Sequence, residues 1–255
     1  MLVRRIAQFF LVFVSGLAAL MLLKYGLGLS DYVIPSLMEI IRTGGQVASD
    51  YFFDTLNTLS VAIIGQIISI FLAFSVGIAA RKSTWVGSFI KAAAYNIQAY
   101  PIVAVAPIVF ILLGDGFLTR LIIAALISYF PLLLSVLGIM SEKVTDVEHF
   151  YIATGRMNWR LEVKIRAFEN MHKLVTVISG STTLAMAGTI VAEFIAADEG
   201  IGHSIRIALY QSDLSRIITA LFLIGVCISL YQGLLEGLGN TIVRKWTLQT
   251  GETFP

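Results

Sequence analysis

The sequence predicts an all-α, polytopic membrane protein with six transmembrane helices and one long cytoplasmic loop, in a single domain over residues 1–255. Hydrophobic residues make up 57% of the chain and charged residues only 13%, too few to cover a water-exposed surface. Six stretches contain no charged residue and are close to or above the roughly 20 residues that cross a bilayer. They lie between Arg5 and Lys24, Asp54 and Arg81, Lys91 and Asp115, Arg120 and Glu142, Lys173 and Glu193, and Arg216 and Glu236.

The first apolar stretch, Ile6 to Leu23, follows two arginines, so both a transmembrane helix and a secretory signal peptide are considered. It is long for the apolar part of a signal peptide and lacks a convincing cleavage site. We therefore predict a first transmembrane helix within residues 1–30.

The basic residues are unevenly distributed between the two sides that this topology creates. One side carries Arg4, Arg5, Arg81, Lys82, Lys91, Lys143, Arg156, Arg160, Lys164, Arg166, Lys173, Arg244 and Lys245; the other carries Lys24, Arg42, Arg120, Arg206 and Arg216. The positive-inside rule then makes both termini cytoplasmic. The net charge of +2 is small and is explained by this sidedness, so nothing indicates a nucleic-acid partner.

Between the first and second spans, residues Ser36 to Arg42 form an amphipathic stretch that predicts a short interfacial helix outside the membrane. In the third apolar block, Pro101 and Pro107 remove backbone donors and predict a bend or break. With Gln98 before them, the prolines are compatible with a position facing the protein interior and, equally, with a simple kink. Pro131 predicts a bend in the fourth span.

The long cytoplasmic loop, residues 141–173, is too charged to cross a membrane. Its sequence predicts one helix from about Thr145 to Thr154, a corner at Gly155, and a second helix that restarts near Asn158 and leads into the fifth span. A charged loop of this kind is usually a solvated connector, but its length favours a functional role.

The fifth span, Leu174 to Ala192, is rich in small residues that allow close helix packing, while Thr182, Thr183 and Thr189 could instead line a passage. Glu193 stands at the outer end of this span, and we expect it to pair with a backbone amide or an arginine. The chain contains no phosphate-binding loop of the G-x-x-x-x-G-K-[ST] type and no motif of a hydrolase, and the span interiors carry no charge that could couple transport to an ion. These observations disfavour an enzyme and favour a transporter whose energy comes from elsewhere.

Several segments between about Asp50 and Trp246 together resemble the inner-membrane permeases of binding-protein-dependent ABC importers, in the branch that serves sulfonate, taurine, nitrate and pyrimidine-type vitamin precursors. The resemblance is carried by T-L-N-T-L-S after Asp54, the run from Ala99 to Gly114, F-P-L-L-L-S at Phe130, the cytoplasmic loop, the segment V-A-E-F-I-A-A-D-E-G-I-G from Val191 to Gly202, and the closing L-E-G-L-G-N-T-I-V-R-K-W. The family's loop motif is only partly present, because His149, Phe150 and Tyr151 stand where Glu-Ala-Ala is usual, and Phe168 and His172 stand where prolines are usual.

The resemblance implies a permease subunit in the bacterial cytoplasmic (inner) membrane, with a core permease region over residues 50–246 and a cytoplasmic coupling helix. Its implied partners are an ABC ATPase dimer, a second permease copy or homologue, an extracytoplasmic solute-binding protein and the lipid bilayer. This chain would need no cofactor, because the ATPase would bind ATP and magnesium. A stand-alone secondary transporter or channel remains the alternative. We predict ATPase coupling by His149, Phe150, Tyr151, Ile152, Gly155, Arg156 and Trp159, and a translocation path at Gln98, Pro101, Pro107, Thr183 and Thr189.

Overall fold

A computed structural model describes residues 2–142 and 146–250. Within these ranges the chain forms ten α-helices: α1 (Leu2–Gly26), α2 (Leu37–Ala80), α3 (Thr84–Gln98), α4 (Ile102–Leu113), α5 (Phe117–Met140), α6 (Asp146–Ala153), α7 (Trp159–Glu169), α8 (Met171–Ile195), α9 (Ile201–Tyr210) and α10 (Leu214–Thr250). The predicted all-α class is confirmed. Lys143 and the predicted helix start at Thr145 lie outside the described residues.

Five of these helices, α1, α2, α5, α8 and α10, are long and apolar enough to cross a membrane. The third predicted span is instead divided into α3 and α4, and the break falls at Pro101, which precedes the first residue of α4. Pro107, by contrast, lies inside α4. A helix of 12 residues is about 18 Å long, shorter than the hydrocarbon core of a bilayer, so α4 does not cross it alone.

Two helices differ from the sequence-based expectation. The predicted separate interfacial helix at Ser36 to Arg42 is wrong, because α2 runs without interruption for 44 residues from Leu37, with Ser36 capping its first turn by accepting a hydrogen bond from the Glu39 amide at 3.3 Å. At about 1.5 Å per residue, α2 is far longer than the membrane is thick, so its charged first turns extend beyond it. The segment that follows α8, for which no helix was predicted, also contains one, α9.

The core of the protein forms where α2 and α8 pack against the same segment of α5. A Cβ built on Gly65 of α2 would lie 2.9 Å from the Ala124 Cβ, and one built on Gly188 of α8 would lie 3.0 Å from the Ala124 Cα. Only glycine fits at such distances, and the three helices therefore approach closely enough for extensive van der Waals contact. The small residues of the fifth span do serve helix packing.

Gln66 of α2 joins its own helix to α8 and α10 through its buried side-chain amide. Its Nε2 donates to the Ile178 carbonyl and the Ser181 hydroxyl of α8, each at 2.8 Å, and its Oε1 accepts from the Tyr231 hydroxyl of α10 at 2.9 Å. Because lipid offers no replacement partners, these bonds specify how α8 and α10 pack on α2.

We expect Gln66→Leu to destabilise the folded protein by about 1–2 kcal/mol, since several bonds are lost and each interhelical bond in a membrane contributes roughly 0.6 kcal/mol. Tyr231→Phe, which removes a single bond, should have a smaller effect. Denaturant unfolding of the purified protein in mild detergent measures both. Equal stability of Gln66→Leu and the unaltered protein would contradict a structural role for the amide.

The first helix is peripheral. It packs on α10, where Phe13 and Phe222 have ring centroids 5.1 Å apart and Arg5 forms an ion pair with Glu236. None of its apolar window is buried within the protein. An apolar helix so exposed requires lipid or another protein around it.

Candidate functional site

The polar residues of the bundle gather at its two ends. At one end, Lys173 of α8 contacts Glu142 beyond α5 at 2.5 Å, and Arg81, directly after α2, contacts Glu162 of α7 at 2.5 Å. At the opposite end, Arg120 of α5 contacts Glu193 of α8. The hydrogen bond from Lys173 lowers the pKa of the Glu142 carboxyl below its usual range. The basic residues in these contacts therefore lie at two opposite ends of the bundle, with Arg81 and Lys173 at one end and Arg120 at the other.

Helices α6 and α7, joined at Gly155, form a projecting elbow at the first of these ends (residues 146–169, hereafter the elbow). Gly155 has a φ of +67°, in the left-handed region that favours glycine. Its amide donates to the Ile152 carbonyl and the Arg156 amide donates to the Tyr151 carbonyl, both at 3.0 Å, which satisfies the last carbonyls of α6. Asn158 then caps α7, its side chain accepting from the Leu161 amide at 2.9 Å. The predicted two-helix loop is therefore observed.

The predicted coupling residues all lie in the elbow, and most of them are exposed. His149, Phe150, Ile152, Gly155, Arg156 and Trp159 are exposed, and Tyr151 is half-buried. Phe150 is 60% and Trp159 is 54% exposed. Large apolar side chains at the tip of a charged loop, away from the apolar spans, are typical of a protein-docking surface. Their role in docking stays a prediction.

Arg166 joins the two helices of the elbow to each other and to the end of α5. Its guanidinium donates to the Glu148 carboxylate of α6 at 2.8 Å and to the Met140 carbonyl at the end of α5. Both side chains are almost fully enclosed, Arg166 being 11% and Glu148 4% exposed. Arg81 extends the linkage by lying 5.7 Å from the centre of the Trp159 ring while contacting Glu162. A displacement of the elbow would therefore reach the ends of α2 and α5 through these contacts.

A cavity of about 380 Å³ lies between the α3–α4 break and α5. Gln98 and Pro101, both predicted path residues, line it together with Tyr100, Phe130 and Pro131. The broken helix thus opens a space beside α5, and Gln98 supplies the one side-chain amide among its lining residues. For Pro101, this arrangement supports a position beside a cavity over a simple kink; Pro107 does not line the cavity.

The other three predicted path residues are dispersed. Pro107 is exposed on α4. Thr183 is exposed on α8 and accepts a hydrogen bond from the Gln232 amide at 2.6 Å. Thr189 is fully buried, and its hydroxyl donates to the Ala185 carbonyl of its own helix at 3.0 Å. In this conformation Thr189 has no surface to offer a solute, so the structure brings only Gln98 and Pro101 together in one cavity.

Glu193 organises the opposite end. Its buried carboxylate accepts hydrogen bonds from the Thr58 hydroxyl at 2.8 Å, the Gly202 amide at 3.0 Å and Arg120 at 3.4 Å. A Cβ at Gly200 or Gly202 would collide with Glu193, which explains the glycines of the G-I-G turn. The expected pairing of Glu193 with an amide and an arginine is confirmed, and it ties α9 to α2, α5 and α8 (the outer lock, hereafter).

Sequence reasoning missed Gln66, Arg166, Arg120 and Thr58. A signal existed for Gln66, an isolated amide within an apolar span. Nothing in the local sequence distinguished Arg166 from the exposed basic residues around it. Among the described residues, no group of three or more His, Cys, Asp or Glu side chains is arranged to hold a metal ion.

Comparison with known proteins identifies several relatives. Residues 65–245 match the family described as binding-protein-dependent transport system inner membrane component. A riboflavin transport system permease protein of Chloroflexus aurantiacus is 32% identical over 151 residues, 58% of this chain and 55% of the relative. A formylaminopyrimidine transport permease protein of Halalkalibacterium halodurans is 23% identical over 84% of this chain and 83% of its own length. A trimethylamine N-oxide transport system permease protein of Pelagibacter ubique is 26% identical over 75% of this chain, but over only 26% of its own length.

The family match extends from the middle of α2 to α10 and includes the elbow, the cavity beside the broken helix and, of the outer lock, Arg120, Glu193 and Gly202 but not Thr58. It therefore spans well over half of a multi-pass membrane protein whose apolar helices were recognised independently. The chain belongs to the family of binding-protein-dependent transport system inner membrane components.

Proposed function

We propose that this chain is the permease subunit of an ATP-driven importer, and that it moves a small solute while a separate ATPase supplies the energy. The observation that carries the proposal is the elbow, with its exposed Phe150 and Trp159 and with Arg166, which is largely enclosed between Glu148 of α6 and the Met140 carbonyl of α5. A solvated connector needs neither feature. An element that transmits a movement needs both a surface to which the partner binds and a rigid attachment to the helices that move.

The elbow end of the bundle is then cytoplasmic, and so are both termini. The excess of lysine and arginine at this end supports that orientation. The outer lock faces the opposite side, where a solute-binding protein would deliver its cargo. An ABC ATPase dimer would dock on the elbow, and a second permease copy or homologue would complete the path.

The solute is a small uncharged or zwitterionic organic molecule. The lining of the cavity beside α5 supports this, because it combines Tyr100 and Phe130 with the Gln98 amide and includes no charged side chain among the described residues. Two of the relatives are named for the transport of riboflavin and of formylaminopyrimidine, both of which contain heteroaromatic rings. We expect Gln98→Leu to reduce transport of such a solute more than it reduces ATPase stimulation.

The decisive experiment reconstitutes the chain with its ATPase and binding protein in vesicles and measures transport and ATP hydrolysis. Copurification in mild detergent identifies both partners, and the ligand of the binding protein identifies the solute. Uptake that needs neither nucleotide nor companion subunit would exclude the proposal and establish the alternative, a stand-alone carrier or channel.

Gly155 offers a sharper test of the elbow. Gly155→Val forces a β-branched residue into the left-handed region, at a cost of about 1–2 kcal/mol, and should abolish transport and ATPase stimulation while membrane insertion stays intact. Gly155→Asn is the matched control, because asparagine adopts this conformation readily. No neighbour lies within 4 Å of a Cβ at this position, so backbone conformation alone distinguishes the two variants. Full coupling in Gly155→Val would refute the role of the corner.

A further inference from the structure

A second cavity, of about 290 Å³, lies where the end of α2 meets the start of α3, beside the end of α5. Two cations and four hydroxyl groups contribute to its lining, namely Arg81, Lys91, Ser83, Thr84, Ser88 and Ser141. No acidic side chain lines it within the described part of the chain. The lining therefore consists of positive charge and hydrogen-bond donors, which suit an anion with several oxygen atoms.

Arg81 is incompletely paired. Its side chain is only 10% exposed, and Nη1 donates to Glu162. Its Nε is buried and has no hydrogen-bond partner among the residues that the structure describes. Lys91 is exposed and forms no ion pair within residues 2–142 and 146–250. A buried guanidinium nitrogen without a partner is costly, and Arg81 is one of the two cations that line the cavity.

The geometry of α3 adds to this positive potential. Thr84, Ser88 and Lys91 are spaced by four and three residues, so they lie on one face of the helix. That face starts at the N-terminus of α3, where the helix dipole and the first backbone amides attract negative charge. The cavity and the helix thus favour the same kind of ligand.

The neighbouring face of α3 indicates where the ligand comes from. Trp85 and Phe89 stack with their ring centroids 5.7 Å apart, and they are 73% and 62% exposed. Large aromatic side chains that project from the end of a transmembrane bundle are typical of the head-group level of a bilayer. At that depth the abundant anion is the phosphate of a phospholipid, with its acyl chains beside the aromatic rings.

We propose that this cavity binds the phosphate of an anionic phospholipid, with Lys91 and Arg81 as its cationic partners and the hydroxyls of Ser83, Thr84 and Ser88 as donors. The site is distinct from the cavity lined by Gln98 and Pro101, which lies at the opposite end of α3, toward α4. Because Arg81 also contacts Glu162 of the elbow, the bound head group shares one arginine with the segment proposed to receive the ATPase.

Lys91→Gln in the full chain tests the site, and Lys82→Gln is the matched control, because Lys82 is an exposed lysine of the same region that does not line the cavity. Native mass spectrometry of the detergent-purified protein, titrated with phosphatidylglycerol or phosphatidylcholine, measures the affinity for each lipid. Losing one lysine near the head groups should weaken phosphatidylglycerol binding about fivefold. Lys82→Gln should change it by less than about twofold, and phosphatidylcholine should bind more weakly than phosphatidylglycerol to the unaltered protein.

Three results would overturn the proposal. The first is phosphatidylglycerol binding that is the same in Lys91→Gln and the unaltered protein. The second is an equal loss in Lys82→Gln, which would indicate diffuse electrostatic attraction rather than a site. The third is displacement of the lipid by an equal concentration of inorganic phosphate, which would show that the cavity holds a free phosphate with no contribution from the acyl chains.

Discussion

Arg166→Met is expected to uncouple the elbow from the membrane helices. The substitution leaves the Glu148 carboxylate, 4% exposed, without its arginine, and removal of one partner from a buried ion pair costs about 3–5 kcal/mol. The hydrogen bond to the Met140 carbonyl at the end of α5 is lost as well. We expect ATPase stimulation and transport to fall to background, and amide hydrogen exchange over residues 146–169 to accelerate roughly a hundredfold.

Two further variants distinguish the loss of the Arg166 contacts from a general effect of removing a positive charge. Lys164→Met removes a positive charge from the same helix at an exposed position, so exchange over the elbow should be nearly unchanged. The double variant Glu148→Gln with Arg166→Met removes both buried charges and should recover much of the lost protection, because a missing pair costs less than a broken one. If Arg166→Met exchanged at the same rate as Lys164→Met, Arg166 would not hold the elbow in place.

Glu193→Ala is expected to be the most destabilising substitution at the opposite end. It removes the acceptor for Thr58, Gly202 and Arg120 at once and leaves Arg120, 6% exposed, with the exposed Glu199 as its one ion-pair partner among the described residues. We expect a loss of about 3–5 kcal/mol and a lower thermal unfolding temperature in detergent, because α9 loses the bond from its Gly202 amide to α8.

Glu199→Gln is the matched control for the outer lock. Glu199 contacts the same arginine at 3.1 Å, but it is 66% exposed, so loss of its charge should cost less than about 1 kcal/mol. Glu193→Gln should fall between the two, since its amide oxygen still accepts hydrogen bonds from Thr58 and Gly202. Unfolding temperatures that coincide for Glu193→Ala and Glu199→Gln would contradict the role assigned to the buried carboxylate.

The local structure of the elbow was predicted from the sequence, but its long-range contacts were not. The break at Gly155 and the restart at Asn158 were predicted because a left-handed corner and an N-cap depend on residue types at fixed offsets. The contact between Arg166 and Glu148 was not predicted, because the two residues are 18 positions apart and lie on different helices. The same holds for Glu193, whose need for a partner was clear from its place at the end of an apolar span, whereas Thr58 is 135 positions away.

The cavity between the α3–α4 break and α5 is an intermediate case. Pro101 predicted a broken helix, since proline lacks the amide that would continue it, and the break is where the cavity opens. Thr189 looked equivalent to Thr183 in the sequence, yet one is buried against its own helix and the other faces outward. The direction that a residue faces on a helix depends on its neighbours, and the fifth span is apolar or small on every side.

The sequence by itself determined that this chain lies in a membrane, where its apolar helices run, and which loop carries the charge. These are local properties, since hydropathy, charge spacing, capping residues and prolines act within a few turns of one helix. Only the tertiary structure decided which long-range partners join the helices, that α2 continues beyond the membrane, and which polar residues face a cavity. Which residues pair, and which way each side chain faces, is decided when the helices pack against one another. Many packings are compatible with the same uniformly apolar spans.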